Sequence, residues 1–350
     1  MGYVQSWDAM TLASSIELSV VEPLVLHHTS ETPTGFLSQE VLGEAFYAAT
    51  KEREIPGFEF GYLVATRAGE TVAAVPYFLT DFKINTMLED GWLKKFLGDV
   101  GFRMACVGHP CAAFGNIDGS VSEELILQVF SVLQNLAPVV SLKGFKPNMP
   151  AVGFAHAKGL PVAVLTLRKN FWQNMSSARR RNISRKRKKA SVLRFDILNA
   201  LTDTQPQAIH NLYLKVLDKS SIQFERLDLN YFVSTASISQ FVVAYFEEKV
   251  VGFVQTIQRN KRIVALYIGI DDSYNRLHGV YFALVIRVVD LAIELECEEI
   301  ELGETHYEFK TALGCVLKET KVYFRHRNPW VHRLMSVFSF VFEPSKDELR

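Results

Sequence analysis

The sequence predicts a mixed α/β (α+β) protein made of two tandem units, each a mixed central sheet flanked by helices, and two observations carry that reading. The chain has 350 residues, 48% of them hydrophobic and 22% charged, which is enough apolar material for one large or two ordinary cores. Its elements also repeat in order, although not in residue identity. Hairpin, strand, helix and strand read twice along the chain.

In the first half, Gly61 to Thr66 and Thr71 to Leu79 are β-rich runs joined at Arg67-Ala68-Gly69-Glu70. A strand at Arg103 to Val107, a helix at Glu123 to Leu136 and a strand at Val139 to Leu142 follow. The second half has a hairpin of Phe241 to Phe246 with Val250 to Ile257, then a strand at Ile263 to Ile270. A helix at Gly279 to Leu295 and a strand at Glu299 to Leu302 complete the second round. Helical spacing of apolar residues precedes each hairpin, at Ser38 to Arg53 and at Pro206 to Leu217 and Leu229 to Ser239. A helix between two strands implies a parallel crossover in an otherwise antiparallel sheet. Residues 1–158 and 159–350 form the two expected domains, joined through Gly159 to Arg194, with a charged helix at Phe171 to Ala190.

Lys plus Arg equals Asp plus Glu at 38 each, so electrostatic arguments have to be local. The local exception is RRRNISRKRKK, Arg179 to Lys189. It reads as a solvated helix, as a cradle for a phosphate-bearing donor, or as an RNA contact. Four scattered cysteines argue against a disulfide framework and for a reducing, cytoplasmic compartment, and their spacing suits no metal. MGYVQSWDAM lacks the pattern of a secretory signal, and Val280 to Leu295 carries Arg287 and Asp290 and is too short to span a bilayer. Trp330 to Phe342 reads as an amphipathic helix docked on the protein, with a homodimer partner or a membrane surface as the other readings.

Two segments carry candidate chemistry. At Asp271 to Gly279 a strand gives way to a helix, where free amides and the helix dipole favour a phosphate; Asn275, Arg276, Gly279 and Tyr281 are the candidate donor contacts. A plain strand-to-helix turn explains that segment equally well. Further on, GETHYEFKTALG gathers Glu304, His306, Tyr307 and Lys310 after a core strand, with His306 and Lys310 on one face if the segment is helical. Lysine, imidazole and carboxylate there can position an amine, take its proton or stabilise an oxyanion. Glu225, beside Phe224 in QFERL, is a candidate base, or else a helix cap. His109, Asn116 and Tyr213 are candidate substrate contacts, together with Tyr307.

Gly303, Tyr307, Phe309-Lys310 and Gly314 together resemble the corresponding segment of FemAB-type and related GNAT-like transferases. FWQNMSSARRRNISRKRKKA and LYLKVLDKSSIQFERL resemble the start of the same region, and GHPCAAFGNI a loop of its first half. The resemblance implies two tandem GNAT-like domains, the first on the acceptor side and the second binding the donor. It also implies transfer of an acyl group to an amine of a small molecule or peptide, from acyl-CoA or, alternatively, from aminoacyl-tRNA, with Lys310 handling donor charge. The chain shows no long coiled-coil insertion for tRNA and no muramyl-peptide signature. A non-catalytic RNA-binding or scaffold protein on the same fold is the remaining reading.

Overall fold

The computed structural model describes residues 22–52, 55–83, 101–220 and 223–344. The opening decapeptide and Arg53 lie outside them. In chain order the elements are β1 (Val25–Thr29), α1 (Glu44–Glu52), β2 (Phe58–Arg67), β3 (Glu70–Lys83), β4 (Gly101–Val107) and β5 (Asp118–Gly119). Next come α2 (Glu123–Leu133), β6 (Val139–Phe145), β7 (Ala155–Lys158), β8 (Val162–Thr166), α3 (Ser177–Lys189) and β9 (Leu193–Leu198). Then follow α4 (Gln205–Leu217), α5 (Leu229–Ser234), β10 (Gln240–Phe246), β11 (Lys249–Arg259) and β12 (Arg262–Ile270). The chain closes with α6 (Asp272–His278), α7 (Val280–Glu294), β13 (Glu299–Glu301), α8 (Tyr307–Leu313), β14 (Val316–Lys318), β15 (Lys321–His326) and α9 (Pro329–Val337).

Two mixed sheets result. The first runs β1-β2-β3-β4-β6-β15-β7, with β5 on β3; the second runs β14-β8-β13-β12-β11-β10-β9. In each, the strand before the crossover helix pairs in parallel with the strand after it, β4 with β6 and β12 with β13. The repeated order expected from sequence is present in both sheets. Its local causes are ordinary. Ala68 and Gly69, both at positive φ, turn the first hairpin. Ser122 caps α2 by accepting from the Leu125 amide at 3.1 Å, and Leu125, Ile126, Val129, Phe130 and Leu133 recur at helical spacing to bury one face of α2 on the first sheet. In the second lobe α7 is buried along most of its length, which fits its unbroken apolar run.

Three features depart from the expected layout. The join between the halves is more than a linker, because VAVLT forms β8, inserted between β13 and β14 in the second sheet. The segment Asp271 to Gly279 is a short helix capped by Asp271, and not a turn. The chain changes sheet between β7 and β8, but β15 returns to the first sheet and pairs with both β6 and β7, so residues 159–350 are not confined to the second sheet. The β6–β15 rung includes a hydrogen bond from the Ser141 hydroxyl to the Tyr323 carbonyl, at 3.1 Å.

The two sheets share one core. Phe58, Phe78, Phe82 and Met104 of the first pack in a single cluster with Leu212, Tyr213, Tyr231, Phe232, Phe241 and Phe253 of the second lobe. Gly269 on β12 is part of this fit. A Cβ there would lie 2.3 Å from the Phe253 ring and 2.7 and 2.8 Å from the α4 backbone at Leu212 and Tyr213. We expect Gly269→Ala to destabilise the fold by about 1–3 kcal/mol through overpacking, read as a lower urea midpoint. An unchanged midpoint would mean that α4 moves away at no cost.

Candidate functional site

The candidate site lies where the two lobes meet, and it is built by segments whose backbones have unusual demands. Gly303, Thr305 and His306 all adopt positive φ, 68°, 66° and 51°. For threonine and histidine that is a strained choice, sustained only when surrounding contacts dictate it. Lys310 supplies two such contacts. Its ammonium donates to the carbonyls of Glu304 at 2.7 Å and Gly303 at 3.2 Å. The side chain is only 4% exposed. An ammonium has three N–H donors, so one remains for another acceptor.

Helix α8 starts at Tyr307, with His306 as its left-handed N-cap residue. His306 and Lys310 are therefore not successive turns of one helix face as the spacing had implied. His306 instead sets its ring 4.7 Å from that of Tyr281, in the first turn of α7. This brings the helix after the expected donor junction beside the Lys310 turn. Tyr307 turns away and donates its hydroxyl to the Pro161 carbonyl at 2.8 Å.

Glu225 comes from the loop before α5. The neighbouring Phe224 ring enters the phenylalanines of the first sheet, 5.6 Å from Phe58, 6.1 Å from Phe78 and 6.4 Å from Phe82. Asp228, three residues on, caps α5 through the Tyr231 amide at 3.0 Å, so Glu225 is free of the capping role that sequence left open. Its carboxylate accepts from the Tyr267 hydroxyl at 2.9 Å. Tyr213, itself a predicted contact, is buried and braces this loop, donating to the Glu225 carbonyl and accepting from the Leu227 amide, each at 3.2 Å.

Lys143 was not among the residues singled out from sequence, and it is the cation around which the first lobe faces this loop. From β6 it donates to the carbonyls of Pro110 and Ala112 at 2.9 and 2.8 Å and lies 5.6 Å from the Phe224 ring centre. Glycine makes the close approach of its strand to the 108–116 loop feasible, since a Cβ on Gly144 would lie 2.2 Å from the Ala113 carbonyl oxygen. Lys143 had a legible signal: the one charged residue in the largely apolar strand VVSLKGF. Glu301 had one too, alternating with Glu299 on β13.

The electrostatics follow from burial. Burial raises the pKa of both Glu225 and Glu304, and the Lys143 cation pulls each back down. Glu304 also raises the proton affinity of Glu225 and of Glu301, whose carboxyl burial lifts to about 7. Burial draws the Lys310 ammonium down to about 8, against opposing pulls from Cys315 and Glu304. Burial and then Lys310 lower His306, which favours the neutral ring. The Cys315 thiol is pushed up to about 12 by burial, which suits packing and not a nucleophile.

The structure thus brings together Glu225, Glu304, Lys310, His306 and Tyr281, and adds Lys143, Tyr267 and Glu301. The other predicted residues are placed differently. His109 is 2% exposed; one ring nitrogen accepts from the Cys111 amide at 3.2 Å and the other pairs with the Thr50 hydroxyl at 2.9 Å. Burial and Lys143 hold its pKa down to about 3, so it is a neutral packing residue of the loop. Asn116 is half-buried on the same loop. Asn275 accepts from the Tyr281 amide at 3.0 Å, so the chain itself occupies one donor of the α7 N-terminus. Gly279, at φ 67°, forms the joint of α6 and α7, and the Arg276 carbonyl accepts from Lys189 at 2.8 Å while its guanidinium stays exposed.

Much of the basic helix is committed to structure. Arg180 donates to the Gln173 and Met175 carbonyls, Arg187 pairs with Asp290 at 2.8 Å, and Lys186 sits 3.3 Å over the Phe282 ring. Arg181, Arg185 and Lys188 are exposed at spacings of four and three, which forms one stripe. Among the described residues no group of three histidine, cysteine or acidic side chains is arranged for a metal. No helix among them is long and apolar enough to cross a membrane.

Residues 177–311 match the acetyltransferase (GNAT) domain family model. That stretch runs from α3 into α8 and contains Glu225, Glu304 and Lys310. No curated relative matches the sequence. Among solved structures, the chain is similar to FemX at 9% identity, TM-score 0.54, covering 85% of this chain and 94% of that one. It is similar to L-PGS from Bacillus licheniformis at 12% identity, TM-score 0.51, covering 78% and 87%. A tandem GNAT protein from the clavulanic acid biosynthesis pathway aligns at 9% identity, TM-score 0.50, covering 87% and 99%. The fold is that of the tandem GNAT proteins, and the stretch similar to the GNAT domain family lies in its second lobe.

Removing the Lys143 charge tests the electrostatic arrangement. Carboxyls whose pKa is raised on folding bind protons more tightly in the native state, so they cost stability as pH rises from their unfolded values through their folded ones. Lys143→Met lifts Glu225 and Glu304 further and enlarges that cost. We expect the variant to lose more stability at pH 8 than at pH 5, measured by urea denaturation at both; equal losses would show that Lys143 serves only the Pro110 and Ala112 carbonyls.

Proposed function

We propose that this chain is an N-acyltransferase that moves an acyl group from an acyl-CoA to an amine of a small molecule or peptide. The observation that carries the reading is the meeting of Glu225 and Glu304 with Lys143 and Lys310 at the join of the lobes. An acceptor ammonium suits a site with two partly desolvated carboxylates. Glu225, with its raised proton affinity, takes a proton from that ammonium and leaves a neutral amine. The amine attacks the thioester carbonyl, a C–N bond forms, the C–S bond breaks, and the leaving thiolate takes a proton. The remaining N–H of Lys310 offers a donor for the negative charge that develops on the carbonyl oxygen. The second lobe supplies donor contacts near Tyr281 and His306, and the first lobe closes the acceptor side through Lys143 and its loop. A cytoplasmic location is part of this reading, and the four cysteines without a disulfide pairing support it.

One observation supports a second reading. The stripe of Arg181, Arg185 and Lys188 suits a polyphosphate or nucleic-acid backbone, as aminoacyl-tRNA would present. Its contribution would fall steeply with salt. Thermal shift with acetyl-CoA, longer acyl-CoAs and charged tRNA separates the two donors, because a ligand bound only by the native state raises its stability. Stabilisation by CoA esters is the expected result. Salt-sensitive tRNA binding without a CoA response would favour the aminoacyl-transfer reading, and silence from both would favour a scaffold.

Lys310 also sets a pH dependence. Its ammonium is lost as pH rises through about 8, so transfer should decline there. Lys310→Arg keeps its charge and should flatten that alkaline limb, whereas Lys310→Ala should lower kcat by roughly 10²–10³-fold. An alkaline limb unchanged in Lys310→Arg would remove Lys310 from the chemistry.

A further inference from the structure

Helix α9 and the single 3-10 turn that follows it, Ser339–Phe342, present apolar side chains outward. Trp330, Leu334, Val337 and Phe340 are 80%, 59%, 65% and 64% exposed, while Met335 on the opposite side joins the core shared by the lobes. Trp330, Leu334 and Val337 follow at spacings of four and three, so they lie along one side of α9. Sequence had read this segment as docked by its apolar side on the protein; the structure docks it by the other side. An apolar ridge of this kind needs an occupant.

Its charge identifies the occupant's chemistry. Between Glu319 and Glu343 the chain has no carboxylate, and it carries Lys321, Arg325, Arg327 and Arg333 in a protein of zero formal net charge. Beside α9 a recess of about 590 Å³ is lined by Arg325, His326, Arg327 and His332. Arg325 is held over the Phe130 ring at 4.2 Å, and the His332 Nδ1 is buried without a hydrogen-bond partner. None of these residues belongs to the candidate acyl-transfer site. A second copy meeting this face across a two-fold axis would bring together two faces that both carry Arg327 and Arg333 with no carboxylate between Glu319 and Glu343 to pair them. An apolar helix face with tryptophan, leucine and phenylalanine, flanked by arginines, matches the acyl-chain and phosphate layers of a lipid surface.

We propose that α9 and the adjoining cationic recess form a peripheral docking site for an anionic phospholipid surface. The ridge enters the interface, and the arginines and recess face the phosphates. Neither spans the bilayer. This inference does not depend on the acyl-transfer reading.

Cosedimentation of the full chain with vesicles tests it. We expect binding to vesicles of equal phosphatidylcholine and phosphatidylglycerol and little binding to phosphatidylcholine alone. Leu334→Ser with Phe338→Ser should abolish binding without lowering the unfolding temperature, since both side chains are exposed. Arg327→Gln with Arg333→Gln should weaken partitioning to the mixed vesicles by about thirty-fold, the effect of two charges at a lipid surface. Absence of vesicle binding, or binding that neither pair of substitutions alters, overturns the proposal. So does a wild-type dimer that Leu334→Ser with Phe338→Ser converts to a monomer without vesicle binding, which would assign the face to a second copy.

Discussion

The insertion of Phe224 among Phe58, Phe78 and Phe82 is the contact on which the rest of the site depends. It belongs to a core that neither sheet completes alone, so the relative position of the lobes is fixed by close packing and not by a hinge. The residue after it in sequence is Glu225. An aromatic anchor therefore sets where a carboxylate stands relative to a lysine delivered by the other sheet. Tyr213 and Tyr267 secure the same residue from the second lobe, through its backbone and its side chain.

The charges at this junction are balanced as a group. Glu225 and Glu304, both with raised proton affinity, face Lys143, with Lys310 beside Glu304, while Glu301 next to Glu304 answers to Lys318 and Arg262; for the three carboxyls and Lys310 the neighbours matter as well as burial. Removing one partner would leave the opposite charge desolvated, which is the costly direction for a buried pair. Lys310 shows the same economy within one side chain. It satisfies the carbonyls of a turn that strains Thr305 and His306, and it holds an ammonium near the carboxylates. The ammonium that holds this turn is also the one proposed to act in transfer, so a loss of activity on its removal needs the arginine comparison to be interpreted.

Where hydrophobic period and turn chemistry determine an element, the sequence was legible. Both hairpins and both crossover helices follow from patterns within a short window, and both parallel pairings follow from the strand-helix-strand order those patterns give. β8 and β15 were not found because their strand status depends on partners remote in sequence, Ala163 on Leu317 and Tyr323 on Leu142. The site divides in the same way. Lys310 and Glu304 are near one another in sequence and could be grouped. Lys143 lies far from both, and only the packing of the sheets brings its charge to them. His109 misled for the complementary reason: a histidine in a glycine-bearing loop looks available until tertiary contacts occupy both nitrogens.

The return of β15 to the first sheet bears on how the molecule is made. Ser141 and Tyr323 are bonded across 182 positions of chain. As the polypeptide emerges from the ribosome, β6 has no neighbour on that side until β15 has followed it, after the strands of the second sheet. The first lobe therefore cannot finish before the second, and the two halves mature as one cooperative body in spite of their repeated plan. An ancestor of separate, self-sufficient units would have had no such dependence; here the exchange of one strand makes each half a condition for the other.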